Sequence, residues 1–123
     1  MIGAVIKRDR VPLAALRKAA LTDRIALSAA VERELTDVLY RPRLARFIDP
    51  ALRSDVLGIL LTQAVRVEPS TSISDCRDAK DNIYLELALA AGASVIVSSD
   101  LDLLDMNPWR GIAIVRPADY VGR

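Results

Sequence analysis

Short, continuously apolar runs alternate along this chain with longer stretches in which apolar side chains recur every three or four positions. Ile2 to Ile6 is the first run, and the charged segment KRDRVP follows it. Pro12 then opens a helix to about Ala20, at a position where its missing N–H costs nothing. Arg24 to Ser28 is compact and apolar enough for a buried strand, and Ser28 can cap the next helix by accepting an N–H of the first turn. Val31, Leu35, Val38 and Leu39 recur at helical spacing from about Ala29 to Tyr40, where Pro42 biases Arg41 out of the helical region. Asp49 and Pro50 start a further helix, with Leu52, Val56, Ile59, Leu60 and Ala64 on its apolar face.

Val65 to Val67 reads as a short strand, after which a polar segment rich in serine and aspartate reaches Asp81 and is the loop best suited to function. Asn82 to Ala91 consists of strong helix formers, and Gly92 stands where a left-handed residue closes a helix. SVIV is a buried strand, LDLLDMNPWRG a short helix or turn, IAIV another strand, and RPADYV a final turn. Helices alternating with apolar strands predict an α/β domain with a mostly parallel central sheet covered on both faces. No repeat or linker divides the chain, so residues 1–123 read as one domain.

Composition narrows the chemistry. A 52% apolar content suits a globular domain, and 4% aromatics leave little for a base-stacking platform. A net charge of +1 gives no global attraction for nucleic acid, so any such contact rests on a local patch. Arg41, Arg43 and Arg46 form one cluster that is either such a patch or plain solvated surface. Histidine is absent and Cys76 is the one cysteine, which removes the commonest general base and any disulfide within the chain. No apolar run approaches the roughly 20 residues that cross a bilayer, and the start lacks a signal peptide's long apolar centre. A reduced, cytoplasmic location without membrane attachment is the expectation.

Chemistry must therefore run on carboxylates. In parallel α/β sheets ligands bind beyond the carboxyl ends of the strands. Asp100 directly follows VIVSS and Asp102 comes two residues later, while Asp81 opens the helix that runs back to that strand, so these acids can meet at one edge. Converging carboxylates are relieved by protonation, basic neighbours or a cation, and an oxygen-only set favours Mg2+ or Mn2+. Such an ion supports phosphodiester hydrolysis with water as nucleophile. Simpler readings stand beside this one. Asp81 can be a helix cap, Asp100 and Asp102 can cap the following turn, and Glu34, next to Glu32, can be a surface acid. Cys76 can be an inert buried thiol, and Tyr84 and Trp109 packing residues.

The segments LSAAVERELTDVLYRPRL, DCRDAKDNIYLELALAAGASVIVSSDLDLL and GIAIVRPADYV, in this order and spacing, resemble the PIN-domain family. The resemblance is closest to toxins of bacterial toxin–antitoxin pairs. It implies a Rossmann-like, three-layer fold and a Mg2+- or Mn2+-dependent ribonuclease that cuts an RNA substrate and is paired with an antitoxin protein. Aligning Glu-Leu-x-x-Val-Leu-x-Arg-Pro puts the family's helix acid on Glu34. Its helix-opening acid falls on Asp81, with Asp78 as a neighbouring alternative, and its acid after the strand on Asp100, assisted by Asp102. Arg77 or Lys80 would contact phosphate.

This sequence departs from the family at its front, where the usual strand ending in Asp-x-Asn is missing; Asp9 is not its equivalent. The expectation is a sheet with a gap, filled either by Ile2 to Ile6 or by pairing with a second copy as a homodimer. It also leaves a second function open, a catalytically impaired module that binds RNA or an antitoxin without cutting. A phosphoacceptor receiver domain would want a lysine after a late strand, where Arg116 stands instead.

Overall fold

The computed structural model describes residues 4–6, 24–40, 51, 54, 58 and 62–122. Five short strands are β1 (Ala4–Ile6), β2 (Ala26–Leu27), β3 (Val65–Arg66), β4 (Val95–Val97) and β5 (Ala113–Val115). β1 pairs with β4 and β4 with β5, β2 pairs with β3, and every ladder is parallel. A bridge between Ala4 and Ile25 joins the two sets, giving the order β3-β2-β1-β4-β5. Consecutive side chains on a strand point to opposite faces, and all three residues of both β1 and β4 are buried. Both faces of the central strands are therefore covered, as their unbroken apolar runs predict.

The gap expected in the sheet is filled. Ala4–Ile6 lies between β2 and β4, in register with Val95–Val97, and the Ala4 N–H donates to the Arg24 carbonyl at 3.1 Å. Strand edges left bare at this place were the ground for expecting a second copy, and β1 removes that ground.

Helix α1 (Ala29–Leu39) starts as its sequence predicts: Ser28 is buried and its Oγ accepts the Val31 N–H at 3.2 Å. Val31 and Leu35, four residues apart, turn inward together. Ala51, Ser54, Gly58, Thr62 and Gln63 are helical, in keeping with the helix read there, whereas the helix expected over Pro12 to Ala20 lies outside the described residues.

Helix α2 (Asn82–Ala91) packs on β1 and β2 and touches α1. Its buried Tyr84, Leu85, Leu87 and Ala88 join a core in which Val5, Ile96 and Ile114 form one row across three strands. After α2 the chain reverses in a Schellman motif, with the Gly92 N–H donating to Leu89 O at 3.3 Å and the Ala93 N–H to Ala88 O at 3.0 Å. Gly92 has φ 63°, and a Cβ there would meet nothing within 4 Å. The penalty of a side chain is thus one of backbone conformation alone. Gly92→Ala is expected to cost about 1–2 kcal/mol, read as a lower urea midpoint with an unchanged slope.

A short helix α3 (Leu101–Leu104) follows β4, and RPADYV forms a helix, α4 (Pro117–Val121), rather than a turn. Pro117 occupies the first helical position, where its ring imposes a helical φ without breaking a hydrogen bond. Trp109 is buried in the core and its indole N–H donates to Asp75 at 2.9 Å. Among the described residues, no helix is long and apolar enough to cross a membrane.

Candidate metal centre

Two segments supply acids to the carboxyl edge of the sheet. In the first, the Cys-Arg-Asp loop enters a single 3-10 turn, Ala79–Asp81, that leads directly into α2. Asp78 caps this turn, its carboxylate accepting the Lys80 N–H at 3.3 Å. Asn82 stitches the loop from below, accepting the Cys76 N–H at 2.9 Å and donating to Ala79 O at 3.1 Å. Asp81, at the last position of the turn, is fully buried and makes no side-chain cap. The helix-cap reading of Asp81 therefore does not describe its geometry. Its Oδ2 is a buried oxygen with no hydrogen bond among the described residues, although Asp81 has other interactions.

The second segment leaves β4. Ser98 is buried, and its Oγ accepts the Asp100 N–H at 3.0 Å. Asp100 in turn caps α3, with Oδ1 accepting the Asp102 N–H at 2.9 Å. This relay turns Asp102 toward the first segment. Asp78, Asp81 and Asp102 offer carboxylate oxygens that all lie within 4.8 Å of one another. Of the four acids singled out in the sequence, Asp81 and Asp102 are thus brought together, and Asp78 joins them. Asp100 adjoins the group as the cap beneath Asp102. Glu34 is half-buried on α1, outside the group, at the border of the stripe formed by Val31 and Leu35. Neighbouring Glu32 pairs with Arg66 at 2.6 Å, and that guanidinium holds the Glu32 carboxyl below its ordinary range.

Asn82 and Ser98 escape a reading of the sequence because their work is local hydrogen bonding by ordinary polar residues. Their one signal is position, directly beside Asp81 and Asp100.

Three carboxylates at this separation repel one another, and the compensating cations stand at the rim. Arg77 reaches Asp102 at 3.0 Å and Asp105 at 2.7 Å, and Lys80 lies 3.7 Å from Asp78. Both side chains are mostly exposed, so water screens much of their effect at the buried Asp81. The donor set suits a hard divalent ion: all the donors are carboxylate oxygens, and the Asp81 carboxylate is buried. Arg41, Arg43 and Arg46 lie outside the described residues.

Cys76 is buried beside this group, its thiol 3.7 Å from Asp102 O. Burial is the main cause that pushes its pKa up, and the charges of Asp81, Asp102 and Asp100 add to it, against a backbone hydrogen bond from Asp78. The folded state thus favours the neutral thiol. That contribution to stability is complete below the unfolded thiol's pKa and fades as pH rises through the higher folded value. Iodoacetamide at pH 7–8 is expected to label Cys76 at least about tenfold more slowly in the folded protein than in urea. Equal rates would show an accessible thiolate.

Fold and site together define a parallel α/β domain with an acid-lined edge beyond its central strands. The PIN_3 family model, described as a PIN domain, matches residues 1–102, and the chain belongs to the PIN-domain family. Nuclease-type chemistry is the activity this membership suggests. The crystal structure of PAE2754 from Pyrobaculum aerophilum has a similar fold, with a TM-score of 0.62, 17% identity, and coverage of 99% of this chain and 88% of that one. No curated protein matches the sequence.

Proposed function

We propose that the chain is a divalent-metal-dependent ribonuclease, the toxin of a bacterial toxin–antitoxin pair, acting in the cytoplasm. The observation that carries this reading is the meeting of Asp78, Asp81 and Asp102 from two separate segments of a PIN domain. These three would hold Mg2+ or Mn2+. When bound, such an ion supplies Lewis-acid polarisation of the phosphodiester and activation of water.

The protein's own groups divide the remaining work. Asp81 anchors the site from inside the core, and Asp100, by accepting the Asp102 N–H, fixes where Asp102 presents its carboxylate. Arg77, exposed and shared between Asp102 and Asp105, is placed to exchange one of these carboxylates for a phosphate oxygen of RNA. Lys80 is placed to do the same from beside Asp78. Glu34 is retained as the acid that the family pattern assigns to α1, and the antitoxin as a protein that covers the acid edge.

One observation favours a second reading, a PIN module that binds RNA or an antitoxin without cutting. Ile6, the last residue of β1, is followed by Lys7 and Arg8 and not by Asp-x-Asn. Incubating RNA with the protein in Mg2+, Mn2+ or EDTA separates the two. The first reading expects cleavage that stops with EDTA and with Asp102→Asn. RNA binding that survives EDTA without cleavage in either metal would establish the second.

A further inference from the structure

We propose that a cleft of about 280 Å³ at the same sheet edge as the acid cluster is a subsite for an RNA base, guanine in preference to the others. The proposal rests on the ribonuclease reading and names the substrate feature that the same edge selects. The cleft opens between the segment that follows β3 and the first turns of α2. Ser28 directly follows β2 and Glu68 lies just beyond β3, while Asp100 and Asp102 lie just beyond β4. Because all these strands run parallel, cleft and acid cluster share one edge of the sheet. Glu86 follows Asp81 by five residues, about 7.5 Å along the helix axis and about 140° around it, so the RNA backbone would pass over the start of α2 from cleft to acids.

Size and lining select the ligand. Its volume falls at the small end of ligand pockets, which run from about 300 to 1,000 Å³, and gives room for one base. Pro69 and Ile83 give it apolar surface for a ring. Glu68 and Glu86 line it with acceptors that are already held in place: Glu68 Oε1 takes the Ala29 N–H at 2.8 Å, and Glu86 Oε2 the Ile73 N–H at 2.9 Å. Each carboxylate keeps a second oxygen that makes no hydrogen bond among the described residues. Ser70, Thr71 and Ser72 add hydroxyls that can donate as well as accept. Guanine presents N1–H and the N2 amino group side by side for a carboxylate, and O6 and N7 for hydroxyl donors. Uracil has one N–H, adenine lacks N1–H, and a phosphate would be repelled by both glutamates.

The test is an NMR titration of the full chain, without added metal, with guanosine, inosine, adenosine, cytidine and uridine, reading amide shifts at residues 70–73. Guanosine is expected to bind at least about tenfold more tightly than inosine, which differs only by the missing N2 amino group. Glu86→Gln and Glu68→Gln keep an oxygen for the Ile73 and Ala29 N–H groups, and each is expected to remove the preference. Asp102→Asn is expected to leave guanosine binding intact, so failure of the nuclease reading and failure of the subsite are told apart. Absence of saturable binding to millimolar guanosine, equal affinity for guanosine and inosine, or tighter binding of arginine amide than of guanosine would each overturn the proposal, the last by making the cleft a site for a cationic side chain.

Discussion

Asp81→Asn is expected to abolish the rise in melting temperature that Mn2+ gives the parent protein and to lower metal affinity at least about 100-fold. The magnitude follows from its place among the acids. Loss of a group that merely orients a ligand already costs about 10- to 100-fold in metal affinity, and Asp81 is the buried member of the set itself. Metal at one hundred times its dissociation constant stabilises a folded protein by about 2.7 kcal/mol, which in a domain of this size is several degrees. Asparagine keeps the volume of the side chain, so the metal-free variant should still melt cooperatively. The comparison of melts with and without Mn2+ therefore isolates the metal contribution. An unchanged Mn2+ shift in Asp81→Asn would show that the ion binds elsewhere.

Ile96→Ala is expected to produce the largest loss of stability. Ile96 is fully buried in β4 and stands between Val5 and Ile114 in the row that crosses the three central strands. Truncating such a side chain costs about 2–5 kcal/mol, against a total of about 5–15 for a domain. Urea unfolding should show a much lower midpoint at constant slope. Leu101→Ala, at a residue 58% exposed, should stay within about 0.5 kcal/mol of the parent. A similar small effect at Ile96 would mean that the face of β4 to which Ile96 points is not packed.

Much of this fold is legible in the sequence because the governing interactions are local. Ser28 caps α1 through a hydrogen bond three residues ahead, and Gly92 closes α2 because a left-handed residue is needed there. Apolar runs bounded by polar residues mark β2, β4 and β5 for the same reason. The central placement of Ala4–Ile6 is a tertiary matter, which the sequence leaves open between filling the sheet and pairing with another copy. At the site, residue type and segment are legible but side-chain direction is not. Asp100 and Asp102 differ by two positions on a turn, and the capping bond at Asp100 determines which of them points into the cluster. Asp78 stands in the sequence only as a neighbour of Asp81, yet a 3-10 turn folds it back beside that residue. Glu34 can be aligned by motif, but its relation to the acids depends on how α1 packs.

The pairing of β1 with β4 also sets when this molecule can become itself. Its middle ladder joins segments about ninety residues apart, so a chain emerging from the ribosome holds β1 in waiting until some ninety further residues have been made. At about 5–20 residues per second, that wait lasts about 5–20 s. The same late stretch delivers Asp100 and Asp102. A nascent chain therefore acquires its central sheet and its acid edge together.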